Sequence, residues 1–390
     1  MMKMSIMKTS IKKSDLKCDS CNSNLEFIYT PIKSIRGLKV YSCINCNLMQ
    51  SLPRIDHYPR DRKRRASSEA DWGNIRYGKI FRTDFAIRKI KEYSKSHKIK
   101  NILDVGSSRG SFIEKFIEEG FEKANFFAVE PDASVSNRFD ELSNVTFLGK
   151  RIEKCSFDKD FFDLIYSSHT LEHLKSPSSH LDFCNEVLNE EGFVFLEVPN
   201  SLSIKRGDSL EEFFIDKHLY HFTPGSLKAL IESKGFHIWM IESDAANISV
   251  IFGRKKKKAQ YKFEKEPSSI ELISSYKKNK KQMAKVFKIK AQRFNKMMKE
   301  GNQIAFWGAG RIFDQLVKNG LEIENIAKLI DKNLWKYLKD SNGMKIQNSE
   351  NINLDGLDHI VVTSREFFDE ISQEIKKLDP SMSVSSVFNE

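Results

Sequence analysis

Short apolar runs alternate with helical patterns through the middle of the chain. Asn101–Val105, Phe126–Glu130, Leu164–Ser167 and Phe193–Val198 read as strands, and between Gly106 and Phe126 the residues Phe112, Phe116 and Ile117 share one helical face. Strands and helices in alternation predict a parallel sheet built from βαβ units. Arg254-Lys255-Lys256-Lys257-Lys258 breaks the pattern. Ser268–Lys299 then reads as one long helix with Pro267 and Ser268 at its start, and Ile273, Tyr276, Met283, Phe287, Phe294 and Met297 trace a stripe suited to packing. A second βαβ pattern begins at Asn302, with strands at Gln303–Trp307, Ala327–Ile330 and His359–Thr363. The organisation expected is a small N-terminal module over residues 1–65, ending in the charge run Arg60-Asp61-Arg62-Lys63-Arg64-Arg65. An α/β domain follows over 71–252, then a basic linker and long helix over 253–300, then a second α/β domain over 301–390.

Composition narrows the class. The chain has 390 residues, 40% hydrophobic and 30% charged, enough for two or three domains of a soluble globular protein. No uncharged apolar run approaches the roughly 18 residues of a membrane span, and the lysine-dotted start lacks the apolar stretch of a signal peptide. Six cysteines suit a reducing cytoplasm better than a disulfide framework. The net charge of +11 is local. Between Arg254 and Lys299 there are 17 Lys and Arg against three Glu, a net +14 that leaves −3 for the remainder. Aromatic residues are not interleaved with these bases as stacking on nucleobases requires, so a solvated helix face is expected there.

The sharpest motif is Leu103-Asp104-Val105-Gly106-Ser107-Ser108-Arg109-Gly110, which follows a strand and opens a helix. Glycine lets a ligand approach the backbone, and a helix start presents unpaired N–H groups. Dinucleotide enzymes have such a turn too. The context separates the two, because Asp104 precedes the first glycine by two residues and the next strand ends at Glu130-Pro131-Asp132. This order resembles the class I S-adenosylmethionine-dependent methyltransferases, with Ser108 standing where that family often has glycine. The resemblance implies that Gly106, Ser107, Ser108 and Gly110 cradle the methionine part of the cofactor, that Asp104 helps hold it, and that Glu130 accepts hydrogen bonds from the ribose hydroxyls. It places Pro131 and Ile152 near the adenosine, and Ser168 and His169 in the loop beneath the cofactor. Leu171-Glu172-His173-Leu174 matches a segment common next in the family, and Phe195-Leu196-Glu197-Val198-Pro199-Asn200 looks like the fifth strand and its exit.

The sulfonium methyl is already activated, so the protein must align an acceptor and remove its proton. Histidine suits that task near neutral pH. Asp216-Lys217-His218-Leu219-Tyr220-His221-Phe222-Thr223 follows the fifth strand, where many small-molecule methyltransferases border their acceptor pocket. His218 is expected as the base, then His221, then His173.

Cys18-Asp19-Ser20-Cys21 and Cys43-Ile44-Asn45-Cys46 are two CxxC pairs separated by 21 residues. Each pair can present two thiolates from one turn, and together they complete a tetrahedral structural Zn²⁺ site with no open position. At the other end, Gly308-Ala309-Gly310 followed by Asp331 reads as a dinucleotide fingerprint with Phe313 in place of its third glycine, so a Rossmann-like domain without bound nicotinamide is expected. The three-part order resembles the sugar C-methyltransferases of deoxysugar pathways, which act on nucleotide-linked keto-sugars. Where that family has Tyr-His-Glu-His this chain has Ile215-Asp216-Lys217-His218, so both C- and O-methylation stay open. A small-molecule or natural-product O- or N-methyltransferase is the first alternative. A zinc-containing nucleic-acid-binding protein is the alternative of another class, and the charge distribution argues against it.

Overall fold

The computed structural model describes residues 16–32, 34, 37–54, 78–94, 98–205, 212–259, 265–336, 338–350, 352–365 and 367–388. The charge run at Arg60–Arg65 and the lysine-dotted start lie outside the described residues. The chain divides into two compact units. The first runs to Ile273 apart from residues 68–70 and 205–213, and the second holds those two stretches with Ser274–Glu390.

In the first unit, strands β1 (Leu25–Tyr29), β2 (Lys39–Cys43) and β3 (Met49–Leu52) precede helix α1 (Gly78–Ser94). The alternating part follows as β4 (Asn101–Val105), α2 (Ser111–Phe116), β5 (Asn125–Val129), β6 (Val145–Leu148), β7 (Phe162–Ser168), α3 (Pro177–Val187) and β8 (Leu188–Pro199). It closes with β9 (Tyr220–His221), α4 (Pro224–Ser233), β10 (His237–Ser243) and β11 (Asn247–Gly253). The seven-stranded sheet has the order β10-β11-β8-β7-β4-β5-β6, with β11 antiparallel to both neighbours and the other pairs parallel. Both faces are covered, as a parallel sheet requires. Ile102, Leu164 and Tyr166 face α1 and α2, through Ile87, Ile90, Phe112 and Phe116. Leu103, Ile165 and Val194 face α3 and α4, through Leu181, Val187, Leu227 and Ile231. Helix α4 starts where Thr223 and Ser226 form a reciprocal capping box, with Pro224 in the first turn.

The N-terminal strands form a sheet of their own in the order β1-β2-β3-β9, so its fourth strand comes from the segment that carries the candidate histidines. Met49 pairs with His221 and Gln50 with Tyr220. Leu25, Leu38, Leu48 and Leu52 are continuous with the core that holds Leu219, Tyr220 and Phe222.

In the second unit, α5 (Ser269–Lys299, whose first turn belongs to the first unit) leads into β12 (Ile304–Trp307), α6 (Arg311–Lys318), β13 (Lys328–Ile330), β14 (Asp340–Ser341), β15 (Met344–Gln347), β16 (His359–Val362), α7 (Phe368–Leu378) and β17 (Ser383–Ser386). The sheet order is β14-β15-β13-β12-β16-β17, parallel except for β14. The stripe on α5 packs: Phe287, Ala291, Phe294 and Met298 are buried with Ile304, Phe306 and Phe313. Its lysines are mostly exposed. No described helix is long and apolar enough to cross a membrane.

Candidate active site

The strand order reverses at β4, with β5 and β6 on one side and β7 and β8 on the other. Such a switch point leaves a crevice at the carboxyl ends of β4 and β7. The turn after β4 is held by the N–H groups of Gly106 and Ser107, which donate to the Val129 carbonyl at 2.8 and 3.1 Å. Gly106 has φ 82° and Gly110 φ 80°. A Cβ on Gly106 would stand 2.1 Å from Thr170 Oγ1, and one on Gly110 2.6 Å from the Phe139 ring. Packing as well as backbone conformation therefore demands glycine. Gly106→Ala should destabilise the domain by about 2 kcal/mol or more in a denaturant titration.

Ser108 sits at φ 51° without being glycine, and its N–H donates to Glu130 Oε2 at 3.1 Å. Glu130 lies just past the end of β5 rather than in it, is 4% exposed, and takes the Asp132 N–H on Oε1 at 3.0 Å. Ser107 Oγ is buried with no hydrogen-bond partner among the described residues, a polar atom that a bound molecule would satisfy. Asp104 is buried at the end of β4, Ile152 is buried on a single turn after β6, and Pro131 is exposed.

Across the switch point, Ser168 Oγ donates to Glu197 Oε1 at 2.9 Å, and Thr170 Oγ1 donates to the Val105 carbonyl at 3.1 Å, tying the loop after β7 to the turn after β4. His169, at φ 52°, has Nε2 2.9 Å from Asn247 Oδ1. Glu172 is fully buried, with neither carboxylate oxygen hydrogen-bonded among the described residues. Its Oε1 lies 3.6 Å from His169 Nδ1 and 3.7 Å from His173 Nε2. The His173 and His218 rings stand 4.8 Å apart. Burial pushes the Glu172 carboxyl up to about 8 and His169 down to about 3. It also pushes His218 well below the usual imidazole range, with His173 adding to the effect. His169 and His218 are therefore neutral at neutral pH.

His221 does not join them. It is 2% exposed, its Nε2 lies 2.8 Å from Ser51 Oγ on β3, and its ring meets Phe214 edge-on at 4.7 Å. That placement gives it a part in joining β9 to β3.

The four cysteines come together. Cys18 Sγ is 3.6 Å from Cys46 Sγ and Cys21 Sγ 3.4 Å from Cys43 Sγ, and all four sulfurs lie within 4.8 Å of one another. The N–H groups of Asn45 and Cys46 donate to Cys43 Sγ, and Gln50 Nε2 donates to Cys18 Sγ at 3.1 Å. Four sulfurs at this spacing, with N–H donors stabilising thiolate charge, fit a tetrahedral Zn²⁺. Cys155 and Cys184 are free thiols apart from this cluster.

In the second unit the carboxylate of Asp331 is occupied by its own loop. Oδ1 accepts the N–H groups of Asn333 and Leu334, and Oδ2 accepts that of Ala309 at 2.9 Å. Gly308 has φ 114°, and a Cβ there would stand 2.7 Å from Thr363 Oγ1. Packing therefore demands glycine at Gly308, while a Cβ on Gly310 would meet nothing within 4 Å.

Sequence reasoning gave no role to Glu172, Glu197 or Arg82, whose Nη1 lies 3.5 Å from Glu197 Oε1. A carboxylate inside an otherwise apolar run, as in Phe195-Leu196-Glu197-Val198, is the signal that could have flagged Glu197. Arg82 sits on an ordinary mixed helix and carries no such signal.

Residues 78–241 match the family model for a methyltransferase domain, and residues 300–384 match that for a C2185-like N-terminal region. No curated protein matches the chain by sequence. Among solved structures, the 1,6-didemethyltoxoflavin-N1-methyltransferase of Burkholderia thailandensis, with 1,6-didemethyltoxoflavin and S-adenosylhomocysteine bound, is similar at 14% identity over 59% of this chain and 100% of its own, with a TM-score of 0.42. An S-adenosylmethionine-dependent methyltransferase of Mesorhizobium loti is similar at 18% identity over 44% of this chain and 99% of its own (TM-score 0.34). One from Aquifex aeolicus is similar at 15% identity over 43% and 88% (TM-score 0.35).

Proposed function

We propose that the acceptor of this S-adenosylmethionine-dependent methyltransferase is an activated sugar or a related glycan precursor, methylated on oxygen or on an acidic carbon, with His218 assisting loss of the acceptor's proton. The observation that carries the reading is the gathering of His218 with His169 and His173, which lie on the loop tied to the glycine turn, around the buried Glu172. A donor turn beside a cluster of imidazoles is what transfer to a weakly acidic acceptor requires. The sugar assignment rests on the three-part order of cysteine module, methyltransferase domain and C-terminal α/β unit.

On this reading Gly106, Ser107, Ser108 and Gly110 hold the methionine part of the donor with Asp104, and Glu130 takes the ribose hydroxyls. Pro131 and Ile152 border the adenosine, while Ser168 and His169 shape the floor. Cys18, Cys21, Cys43 and Cys46 hold a structural Zn²⁺, and the free thiols suit a reducing compartment such as the cytoplasm.

Incubation with methyl-labelled S-adenosylmethionine and a panel of nucleotide-linked sugars should label a sugar, and mass and NMR analysis should locate the methyl. Labelling confined to non-sugar small molecules would remove the acceptor assignment. Glu130→Ala should weaken S-adenosylmethionine binding ten-fold or more in calorimetry, on the order of 1.4 kcal/mol. An unchanged affinity would take the ribose role from Glu130.

A further inference from the structure

We propose that Glu172, His173 and His218 form a second metal centre, which takes a divalent cation such as Mn²⁺ or Zn²⁺ and presents it to the acceptor. The inference deepens the proposed function, because it says how His218 assists loss of a proton.

The three side chains bring one ligand atom each to a single place, all within 4.8 Å of one another. Glu172 is 0% exposed with both oxygens unpartnered, and its 3.6 and 3.7 Å approaches to His169 and His173 are too long for hydrogen bonds. A buried carboxylate left so is costly, and a bound cation offsets that cost.

The second observation concerns His173. Its Nδ1 lies 2.6 Å from the Lys217 carbonyl, which can only accept, so Nδ1 carries the proton. That makes Nε2 the nitrogen turned toward Glu172, 3.7 Å from its Oε1. Tying the far nitrogen to a backbone carbonyl is how proteins fix an imidazole as a metal ligand. One carboxylate and two imidazoles suit Zn²⁺, Mn²⁺ or Fe²⁺, rather than the all-oxygen shells of Ca²⁺ and Mg²⁺. Three protein ligands leave a position open.

An acceptor hydroxyl at that open position would become more acidic. Zn²⁺ lowers the pKa of bound water to about 7, and an alcohol responds in the same sense. The hydroxyl proton passes to solvent, the O–CH₃ bond forms as the S–CH₃ bond breaks, and S-adenosylhomocysteine leaves as the neutral thioether. His218 then gives its lone pair to the cation instead of receiving the proton itself. Lys217 supplies the carbonyl that orients His173, so the segment before β9 contributes both a ligand and the support for another.

The test is Mn²⁺ titration of the zinc-loaded full chain, followed by the loss of the free-ion EPR signal. Mn²⁺ prefers nitrogen and oxygen ligands, so the thiolate cluster does not compete for it. A single Mn²⁺ per chain is expected, displaced by added Zn²⁺. His218→Ala and Glu172→Gln should each weaken binding at least about ten-fold. Circular dichroism and S-adenosylmethionine affinity report whether each variant is folded, and the half-buried His218 keeps the test open if Glu172→Gln fails to fold. Absence of Mn²⁺ binding by the wild type, or equal binding by folded His218→Ala, overturns the proposal. No acceptor is present in this titration. A wrong sugar assignment therefore leaves its result untouched, and a missing cation leaves the sugar assignment untouched.

Discussion

Replacing Cys43 by serine should empty the four-thiolate site, melt the N-terminal sheet, and abolish most methyl transfer along with it. Cys43 ends β2, and its sulfur takes the N–H groups of Asn45 and Cys46. A module of three short strands buries too little apolar surface to fold alone. Zinc in comparable sites contributes on the order of 10 kcal/mol to folding, so loss of one ligand removes the main support of the module. The effect reaches the active site because the module grips the segment that carries His218. Asp19 Oδ2 accepts the Ser178 N–H at the start of α3, the Ser51 N–H donates to the Leu219 carbonyl at 2.8 Å, and Ser51 Oγ holds His221. Elemental analysis of protein prepared without chelator should find about one Zn²⁺ bound to thiolates per chain. Thermal melting followed by circular dichroism should show an earlier transition in the variant. A Cys43→Ser protein that keeps its zinc and its turnover would refute the structural role.

His218→Ala should fold, bind S-adenosylmethionine normally, and lose about 10²-fold or more in methyl transfer. His218 is less deeply buried than His221 and stands against His173 in the imidazole cluster. His218→Gln keeps a hydrogen-bonding group of similar reach but neither the basic lone pair nor the ring, and should be nearly as impaired. His221→Ala is the informative companion. That side chain is buried against Ser51 and Phe214, so its loss should lower the melting temperature while sparing turnover per folded molecule. Near-wild-type turnover in His218→Gln would return His218 to a purely structural part. A large fall in turnover for well-folded His221→Ala would move the chemistry to that residue instead.

The turn after β4 was legible because its signals are local. A glycine turn between strand and helix needs particular backbone conformations, and those fix residue types a few positions apart in sequence: Gly106, Gly110 and the acid after the next strand. Strand β4 coincides with the apolar run Asn101–Val105. Glu130 was expected to close β5 and instead lies one residue past its end, its N–H donating to the Leu148 carbonyl at the end of β6 while its carboxylate accepts the Ser108 N–H. The CxxC pairs were legible for the same reason, since two thiols on one tight turn are a local feature.

The cluster around Glu172 depended on contacts between residues far apart in the chain. Two histidines three positions apart, His218 and His221, look equivalent in sequence, yet strand pairing separates them. β9 adds to the edge of the N-terminal sheet, and its register opposite Met49 commits His221 to Ser51 while His218, just before the strand, stays with His173. Glu172 gave no sign of its importance, because a carboxylate in a polar loop reads as exposed until the fold removes it from water. The amino-acid sequence by itself determined the α/β pattern, the glycine turn and the paired cysteines, all of which follow from backbone conformation and short-range spacing. Only the tertiary structure decided which imidazoles share a site, that a buried carboxylate lies among them, and that the cysteine module and the methyltransferase domain are joined by a common sheet. Burial and strand register are set by the whole chain's packing, and no short stretch of sequence encodes them.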